Sequence, residues 1–522
     1  MTAAPRTVAV IGGGMAGLAA AWELSAAAPS IRVVVFEQQE HLGGKVRTEV
    51  FAGRPLDVGP DAFVARRPEA LRLCHELGLD AELVAPAART AYVLARGRLR
   101  PLPGGLALGV PTRLGALARS GICSRRGLLR PLLDTAGLVG APAAGPGGTD
   151  EEATPVDRSV GEVVTRRLGP EVAAGLAGPL IGGIHAGDID EMSAAAVFPA
   201  LLDADRRRSL MRGLRSATQP SADGGPVFLT VRGGLGRLVE VLDAALRRRG
   251  VEVRVGRRVD ALERADAARS AHAPGGTAAG GGTWTVVSGT DTVTADAVVV
   301  AVPAGAAAAL LRPHDAALAA TLAGVRYSSV GIVTLRFRPG DVTTSLDGSG
   351  FLVARARRGG DGPLVTGCTW LTSKWPALAD DDVVVRVSVG RAGDRRHEGL
   401  DDETLVRRCL DELRPVMGLR GDALDTLVTR WPAAFPQYAV GHLGRVAAME
   451  AAVGGLPRVA VAGAALHGVG VPACIGSGRR AARAVTAAWV DRAEAAGRAG
   501  PADTASVAPG PAGTDPGPTG SR

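Results

Sequence analysis

Residues Gly12 to Gly17 have the types and spacing of a turn that holds phosphate groups. They read Gly-Gly-Gly-Met-Ala-Gly, which satisfies the pattern G-x-G-x-x-G. In this pattern the first glycine permits a tight turn, the second lets the backbone approach a pyrophosphate, and the third allows a helix to pack closely on a strand. Because glycine makes up 72 of the 522 residues, the pattern alone is weak evidence. A structural strand–helix turn in a glycine-rich chain would look the same.

The segments around this turn favour dinucleotide binding. Residues 7–11 and 31–36 are apolar and rich in β-branched side chains, which predicts two buried strands, and residues 16–27 between them are helix formers. Glu37 follows the second strand, where an acidic residue of a βαβ unit accepts hydrogen bonds from ribose hydroxyls. The sequence therefore predicts a βαβ unit that binds the pyrophosphate of a dinucleotide at the start of its helix.

Three further motifs resemble one group of flavoenzymes. Gly43-Gly44-Lys45 is similar to the R-x-G-G-R element of amine oxidases and protoporphyrinogen oxidases, with Lys45 where many members carry arginine. Residues 56–63 resemble the segment that passes beside the flavin in that group. Residues 458–478, with their Gly-Val-Gly-Val-Pro turn, resemble protoporphyrinogen and coproporphyrinogen oxidases in particular. The resemblance extends over roughly residues 5–490. The chain is thus identified as a member of the FAD-dependent porphyrinogen oxidase family, most like the coproporphyrinogen III oxidases of Gram-positive bacteria and actinobacteria.

The resemblance implies a cofactor and a reaction. The cofactor is non-covalent FAD, and the reaction is the oxygen-dependent, six-electron oxidation of coproporphyrinogen III to coproporphyrin III, with release of hydrogen peroxide, in haem biosynthesis. No catalytic residue is identified. The predicted FAD contacts are Gly12, Gly13, Gly14, Met15, Ala16, Gly17, Glu37, Gln38, Gly44, Lys45, Gly59, Pro60, Asp61, Ala62, Val259, Trp431, Gly463, Val469, Gly470 and Val471.

Some of these residues also have ordinary structural interpretations. Val259 is included because residues 251–259 are expected to form one strand that presents backbone atoms to the adenine. Trp431 is either a neighbour of the flavin or a plain core tryptophan. Asp57 and Asp61 are not expected to form a catalytic carboxylate pair, and Asp61 is predicted to be a helix N-cap. Cys474 is expected in a turn or the core rather than at a covalent flavin.

The expected reactants are a porphyrinogen and molecular oxygen. Bidentate arginines should anchor the substrate propionates, and Arg66, Arg67, Arg89 and Arg96 are weak candidates, because surface arginines are usually only solvated. His185, His442 and His467 are isolated and expected to be structural, and no metal site is predicted. A transient contact with the next enzyme of haem synthesis is a further expectation.

Several alternatives stay open at this stage. The enzyme could instead oxidise protoporphyrinogen IX. The amino-acid sequence of residues 458–478 disfavours a flavin amine oxidase or a carotenoid desaturase. A non-catalytic protein that keeps FAD while docking to another haem-pathway enzyme is a different class of function, and the intact glycines at both ends of the chain speak against it.

Composition excludes other classes of protein. Only Lys45 and Lys374 are lysines among 60 basic residues, the net charge is +8, and no dense basic tract suggests nucleic-acid binding. Five scattered cysteines without a C-x-x-C pair argue against a disulfide framework and favour a reducing, cytoplasmic setting. The longest apolar run, residues 297–311, is too short to span a membrane. At most a peripheral membrane contact is expected.

The predicted fold class is α/β: a Rossmann-like FAD-binding domain, an antiparallel-sheet substrate domain and a helical insertion, as in the amine oxidase and porphyrinogen oxidase flavoproteins. The FAD-binding domain is assigned to residues 1–80, 226–304 and 437–495. The substrate-binding domain is assigned to residues 81–110, 195–225 and 305–436. The helical insertion is residues 111–194, and residues 496–522 are a tail predicted to be disordered.

Overall fold

The computed structural model describes residues 6–27, 31–88, 90–140, 156–217, 225–264, 283–354, 362–378 and 382–498. Arg89, the loop predicted at 265–282 and most of the predicted tail lie outside these ranges. The strands are β1 Arg6–Ile11, β2 Ile31–Phe36, β3 Thr48–Phe51, β4 Arg54–Asp57, β5 Phe63–Val64, β6 Leu83–Val84, β7 Tyr92–Ala95, β8 Arg98–Pro101, β9 Leu106–Ala107, β10 Val110–Pro111, β11 Phe228–Val231, β12 Glu252–Arg254, β13 Ala261–Arg264, β14 Trp284–Ser288, β15 Asp291–Ala295, β16 Ala297–Val300, β17 Tyr327–Phe337, β18 Gly350–Val353, β19 Val365–Trp370, β20 Val383–Val389, β21 Asp425–Pro436 and β22 Val459–Val461. The helices are α1 Met15–Ala27, α2 Pro68–Glu76, α3 Leu114–Ser120, α4 Leu129–Thr135, α5 Val160–Leu168, α6 Pro170–Val172, α7 Gly183–His185, α8 Ala194–Val197, α9 Pro199–Asp205, α10 Leu210–Ala217, α11 Gly236–Arg248, α12 Ala304–Leu311, α13 Ala316–Ala323, α14 Leu371–Lys374, α15 Asp402–Met417, α16 His442–Gly454 and α17 Val471–Arg498, with a π-helix Ala173–Gly182 joining α6 to α7.

A five-stranded sheet with the order β12-β2-β1-β16-β22 forms the centre of the fold, and all of its pairs are parallel. Its strands are short and rich in valine, as expected for strands that are covered on both faces. Because the strands are parallel, their carboxyl ends lie at one edge of the sheet. This edge is where α/β folds bind their ligands. The strands predicted at residues 7–11 and 31–36 are confirmed as β1 and β2.

Two apolar layers cover the central sheet. On one face, α1, α11 and α17 contribute fully buried side chains such as Leu18, Leu242 and Ile475. On the other face, the antiparallel sheet β13-β14-β15 and helices α12, α13 and α16 contribute Trp284, Leu318 and Val446. Each such buried side chain stabilises the fold by about 1.5–3 kcal/mol. The central sheet is therefore held rigidly, and its ligand edge with it.

A second, seven-stranded sheet has the order β21-β17-β20-β19-β18-β7-β8. Its pairs are antiparallel except for β18 and β7, which run parallel. Helix α15 packs Leu405, Cys409 and Leu413 into its core. The long strand β17 begins at Tyr327, five residues before the segment 332–337, in which apolar and polar side chains alternate as in a strand.

The helices from α3 to α10 share one apolar core with part of β7. Ser159 is the N-cap of α5, because its hydroxyl accepts a hydrogen bond from the backbone N–H of Glu162 at 3.0 Å. At the centre of these helices Arg167 and Asp134 are both 0% exposed and form an ion pair at 2.8 Å. Asp134 also accepts hydrogen bonds from Ser209 and from the first backbone N–H groups of α10. The pair joins three helices through one buried carboxylate.

One strand predicted near the adenine is shorter than expected. Strand β12 ends at Arg254 instead of continuing to Val259. Beyond Arg254 the backbone no longer pairs with β2. The N–H groups of Gly256 and Arg257 donate instead to the carbonyls of Gln39 and Glu37, in the segment that follows β2. The side chain of Val259 is buried in the apolar layer of Trp284.

Candidate cofactor and active site

The predicted glycine turn lies at the carboxyl edge of the central sheet, between β1 and α1. Gly12 has a φ of +108°, and its N–H donates to the carbonyl of Phe36 at 2.8 Å. A side chain at Gly12 would also meet the carbonyl oxygen of Ala301 at 2.6 Å. The turn is thus clamped between the ends of β2 and β16, and only glycine suits its first position.

Two other glycines bring helices into contact at the same place. A Cβ at Gly17 would lie 1.8 Å from the carbonyl oxygen of Gly12, so the glycine is needed to seat α1 on the turn. A Cβ at Gly478 would lie 1.9 Å from the carbonyl oxygen of Ala16, so α17 packs directly on the backbone of α1. The N-terminal and C-terminal motifs found in the sequence therefore meet in the fold.

Gly14 differs from these glycines because a Cβ there would meet nothing within 4 Å. Its φ does not lie in the left-handed region, so neither packing nor backbone geometry requires a glycine. The space beside Gly14 lies at the first turn of α1, where unpaired N–H groups attract anions. This open space is the feature expected of a turn that receives a pyrophosphate.

Glu37 lies directly beside this turn and is 8% exposed. Its Oε2 accepts a hydrogen bond from the N–H of Gly13 at 2.7 Å, and its Oε1 accepts one from the N–H of Gln39 at 2.8 Å. Each carboxylate oxygen retains a further lone pair. Glu37 therefore holds the turn in shape and can still accept from a ribose hydroxyl. Gln38, the next predicted contact, is exposed.

The second glycine pair packs against the first. The N–H of Gly43 donates to the carbonyl of Gly13 at 2.9 Å, which places Gly44 next to Gly14. Lys45 follows, and burial lowers its pKa from the ordinary value. Among the described residues no carboxylate pairs with Lys45; the ionisable neighbour that acts on its pKa is Cys474. A partly buried ammonium without an acidic partner is suited to a bound anion.

The loop of residues 58–62, predicted to pass beside the flavin, is held by Arg386 of strand β20 and Lys374 of helix α14. Lys374 Nζ lies 2.7 Å from Asp61 Oδ2, and Arg386 Nη2 lies 3.2 Å from Asp61 Oδ1. Trp375 also donates to the carboxylate at 3.1 Å. Burial would raise the pKa of Asp61, but Arg386 and Lys374 outweigh this effect and hold the pKa below its ordinary value. Asp61 therefore stays ionised.

The prediction that Asp61 is a helix N-cap is wrong. The following helix, α2, begins only at Pro68, with Arg67 as its N-cap. Proline is favoured at the first helical position, which sets the start of α2 beyond the reach of Asp61. Asp57 does bind a helix start, because its carboxylate accepts from Thr48 and from the N–H of Leu235 before α11. Both carboxylates are thus engaged in structural contacts.

Arg386 and Trp431 fix the backbone of the same loop. Arg386 donates to the carbonyl oxygens of Gly59 at 3.0 Å and Asp57 at 3.3 Å. Trp431, on β21, donates through Nε1 to the carbonyl of Val58 at 2.9 Å. The predicted contacts Gly59, Pro60, Asp61 and Ala62 are therefore held against the face of the second sheet.

The C-terminal motif forms a supported turn before α17. Gly463 has a φ of +126° and donates to the hydroxyl of Ser477 at 3.0 Å. Tyr438 donates to the carbonyl of Ala464 at 2.5 Å and accepts from the N–H of Gly468 at 2.7 Å. His442 stacks on Tyr438 with ring centroids 3.9 Å apart. The predicted contacts Val469, Gly470 and Val471 thus follow a turn fixed by an aromatic pair.

The remaining candidate residues have ordinary surroundings. Arg66, Arg67 and Arg96 are exposed, and Arg89 lies outside the described residues. His442 bonds to the carbonyl of Leu466, His467 pairs with Glu450 and His185 bonds to the carbonyl of Ile181. Burial raises the pKa of the Cys474 thiol to about 11, so the thiol stays protonated and unreactive. In the described part of the chain no group of three or more metal-ligating side chains occurs.

Three residues that shape the site were not predicted from the sequence, namely Lys374, Arg386 and Tyr438. A signal existed for Lys374, because it is one of only two lysines in a chain with 60 basic residues. The other lysine, Lys45, was found through its motif. Where arginine is used almost everywhere, a position that keeps lysine indicates a need for a compact point charge rather than a planar fork.

These observations fit a flavin dinucleotide. The turn leaves room for a pyrophosphate beside Gly14, Glu37 can accept from a ribose, and Lys45 lacks a described acidic partner. Comparison with known proteins agrees with this geometry. The family model described as flavin-containing amine oxidoreductase matches residues 15–486. The chain belongs to this family, and FAD is its cofactor.

Individual relatives are more specific. The chain is 33% identical to the protein named coproporphyrinogen III oxidase from Bacillus subtilis (strain 168), over 92% of this chain and 98% of the relative. It is 35% identical to the protein of the same name from Propionibacterium freudenreichii subsp. freudenreichii, over 91% and 89% of the two chains. It also resembles the crystal structure of a protein from Exiguobacterium sp. 255-15 described as a candidate protoporphyrinogen oxidase. The TM-score is 0.78 at 28% identity, covering 94% of this chain and all of the other.

Proposed function

We propose that this protein oxidises coproporphyrinogen III to coproporphyrin III, with FAD as cofactor and molecular oxygen as the final acceptor. The observation that carries the proposal is the similarity, over about nine tenths of the chain, to two bacterial proteins named for this reaction. Three rounds of oxidation each remove two hydrogens from the macrocycle and convert one oxygen molecule to hydrogen peroxide. The reaction therefore yields one porphyrin and three hydrogen peroxides.

The proposal assigns separate tasks to the residues of the site. The chemistry that bound FAD would supply is acceptance of a hydride from a meso carbon and transfer of the electrons to oxygen. Gly12 to Gly17 receive the pyrophosphate, Glu37 accepts from the ribose, and Lys45 neutralises negative charge. The other contacts predicted from the family resemblance belong to the same proposal. Because the macrocycle gains aromaticity, we assign orientation and exclusion of water to the protein rather than acid–base catalysis.

We assign this chemistry to the space beside the loop of residues 58–62. Arg386 and Lys374 hold the loop through Asp61, and Trp431 holds it through Val58. Cations engage Asp61, and the start of α11 engages Asp57. We therefore assign no proton transfer to either carboxylate. The substrate would then approach from the side of the second sheet.

Oxidation of protoporphyrinogen IX is the second candidate, favoured by the similarity to the Exiguobacterium structure. Protoporphyrinogen carries two propionates, whereas coproporphyrinogen carries four. Burying an unpaired carboxylate is costly, so a pocket built for two carboxylates should reject the tetracarboxylate strongly. Measuring kcat/KM for both porphyrinogens side by side, by porphyrin fluorescence, decides between them. We expect the higher value for coproporphyrinogen III, and a higher value for protoporphyrinogen IX would overturn the assignment.

We further propose a cytoplasmic protein that touches membranes only peripherally. Within the described residues, no helix combines the length and apolar character needed to cross a bilayer. Helix α4 supports a surface contact, because Leu129, Leu132 and Leu133 are 58%, 49% and 41% exposed. The exposed arginines Arg125 and Arg126 precede it. An apolar patch beside cations suits the surface of an anionic membrane.

Flotation with liposomes tests this contact. Replacing Leu129 and Leu132 with serine should reduce co-flotation with anionic liposomes, and high salt should reduce it for the wild type. Absence of salt-sensitive co-flotation of the wild type would contradict the membrane contact. A transient contact with the next haem-pathway enzyme stays part of the proposal, to be measured as binding between the two purified proteins.

A further inference from the structure

A cavity of about 720 Å³ opens between α3, α10 and the segment that follows β8. Four arginines line it: Arg113, Arg119, Arg212 and Arg215. All four are exposed, and no described side chain forms an ion pair or hydrogen bond with their guanidinium groups. Among the residues that the structure describes, no aspartate or glutamate lines the cavity. It is therefore a concentrated cationic site in the part of the chain that the structure describes.

The other polar side chains of the cavity are already used. The hydroxyls of Thr112, Ser120 and Thr135 donate to the carbonyls of Gly105, Leu117 and Pro131. Among the side chains that line the cavity, the guanidinium groups are therefore the donors left for a ligand, which favours an anion over a neutral sugar or amide. Guanidinium forks match carboxylates in a bidentate geometry. Leu102, Leu114 and Met211 add apolar walls between them, so the ligand should combine an apolar body with several carboxylates.

This cavity is remote from the proposed flavin site. It begins at Pro101, the last residue of β8, which forms one edge of the seven-stranded sheet. Trp431 lies on β21, at the opposite edge. Six strand spacings of roughly 4.8 Å separate the two edges by on the order of 30 Å. None of the residues that line the cavity belongs to the proposed flavin site, so we treat the cavity as a second site rather than part of the first.

We propose that this arginine cavity binds coproporphyrin III, the tetracarboxylate product. This inference rests on the proposed function. The four propionates match the four arginines in number and charge, and the flat macrocycle suits the apolar walls. The volume falls within the range of about 300–1,000 Å³ that is typical of sites for small molecules. The cavity thus offers the product a place to be held after it leaves the flavin.

The test is the number of coproporphyrin III molecules bound per chain of the holoenzyme, measured by equilibrium dialysis. We expect two for the wild type and one for the double variant Arg212→Glu/Arg215→Glu. Each lost charge-assisted contact is worth at least about tenfold in affinity, so the second site should weaken about a hundredfold. The matched control is Arg125→Glu/Arg126→Glu, which makes the same charge change on exposed residues outside the cavity and should still bind two. Circular dichroism and thermal unfolding verify that both variants fold.

Other outcomes would overturn the inference. A porphyrin stoichiometry that the Arg212→Glu/Arg215→Glu change does not lower by one would do so, as would equal losses in the test and control variants. The dicarboxylate mesoporphyrin IX should bind the second site at least tenfold more weakly than coproporphyrin III, and equal affinity would contradict recognition by four arginines. If the Arg212→Glu/Arg215→Glu variant loses only binding to phosphatidylglycerol vesicles, the cavity is a lipid site instead. Turnover of coproporphyrinogen III by the same preparation tests the proposed function separately, because its absence leaves the stoichiometry of porphyrin binding interpretable.

Discussion

Replacing Gly14 with alanine should separate binding of the cofactor from folding of the protein. A Cβ at this position meets no protein atom within 4 Å, and φ is not in the left-handed region. The unfolding free energy of the apoprotein should therefore change by no more than about 1 kcal/mol. The added methyl group would instead occupy the space where the pyrophosphate approaches the backbone.

The expected loss of affinity follows from the contacts that this methyl group displaces. A charge-assisted hydrogen bond between a backbone N–H and a phosphate oxygen contributes about 1.5–3 kcal/mol. Losing one such bond should raise the dissociation constant of FAD about ten- to a hundredfold. The assay is a titration of apoprotein with FAD, followed by quenching of flavin fluorescence, together with thermal unfolding of the apoprotein.

Two matched variants complete the experiment. In Gly17→Ala the new Cβ lies 1.8 Å from the carbonyl oxygen of Gly12, so both apoprotein stability and FAD affinity should fall. In Gly305→Ala the Cβ is equally free of contacts but lies in α12, so stability should rise by up to about 1 kcal/mol and FAD affinity should not change. Wild-type FAD affinity in Gly14→Ala, with an intact fold, would refute the assignment of this turn to the pyrophosphate.

Three further predictions concern carboxylates. Glu37→Ala should raise the dissociation constant of FAD about tenfold or more, because it removes a hydrogen bond from the ribose hydroxyl to a charged carboxylate. An unchanged dissociation constant would exclude the ribose contact. Burial raises the pKa of Asp57 to about 6, above the value of about 4 in an unfolded chain. Between about pH 4 and about pH 6 the carboxyl of Asp57 is therefore protonated more in the folded than in the unfolded state. The stability that this proton contributes is fully present below about pH 4 and is lost as the pH rises through about 6. Asp57→Asn should gain stability relative to the wild type from pH 4 to 7 in denaturant titrations, whereas a constant difference would contradict this origin. Asp134→Asn should lower the free energy of unfolding by about 3 kcal/mol, because it leaves the buried guanidinium of Arg167 with only the carboxylate of Asp205, at 3.9 Å; the exposed control Asp203→Asn should change it by less than about 0.5 kcal/mol, and equal effects would show that burial is not the cause.

The local parts of the site could be predicted from the sequence. Strand, glycine turn, helix and second strand follow one another within about 30 residues, and each is determined by nearby residue types. The Gly12–Gly17 turn and the position of Glu37 beside it were found in this way. Fold class, cofactor and family were likewise predicted from motifs and are confirmed by the comparisons. The division into three domains and the individual FAD contacts stay predictions.

Long-range partners could not be predicted. Asp61 has the local pattern of a helix cap, yet its partners Lys374 and Arg386 come from more than 300 residues later in the chain. A buried carboxylate gains more from two cations than from a helix start, and only the fold brings these cations close. The end of β12 at Arg254 has the same kind of cause, because hydrogen bonds to the segment after β2 override the β propensity of the following residues.

The order of the strands in the central sheet has a consequence for synthesis on the ribosome. Strand β1 needs β16 as a neighbour, β16 needs β22, and α1 is covered by α17. At translation rates of about 5–20 residues per second, α17 follows β1 by roughly half a minute to a minute and a half. During that interval the alanine-rich helix α1 and the valines of β1 lack their final partners. The edge proposed to bind FAD is therefore complete only when nearly the whole chain has been made.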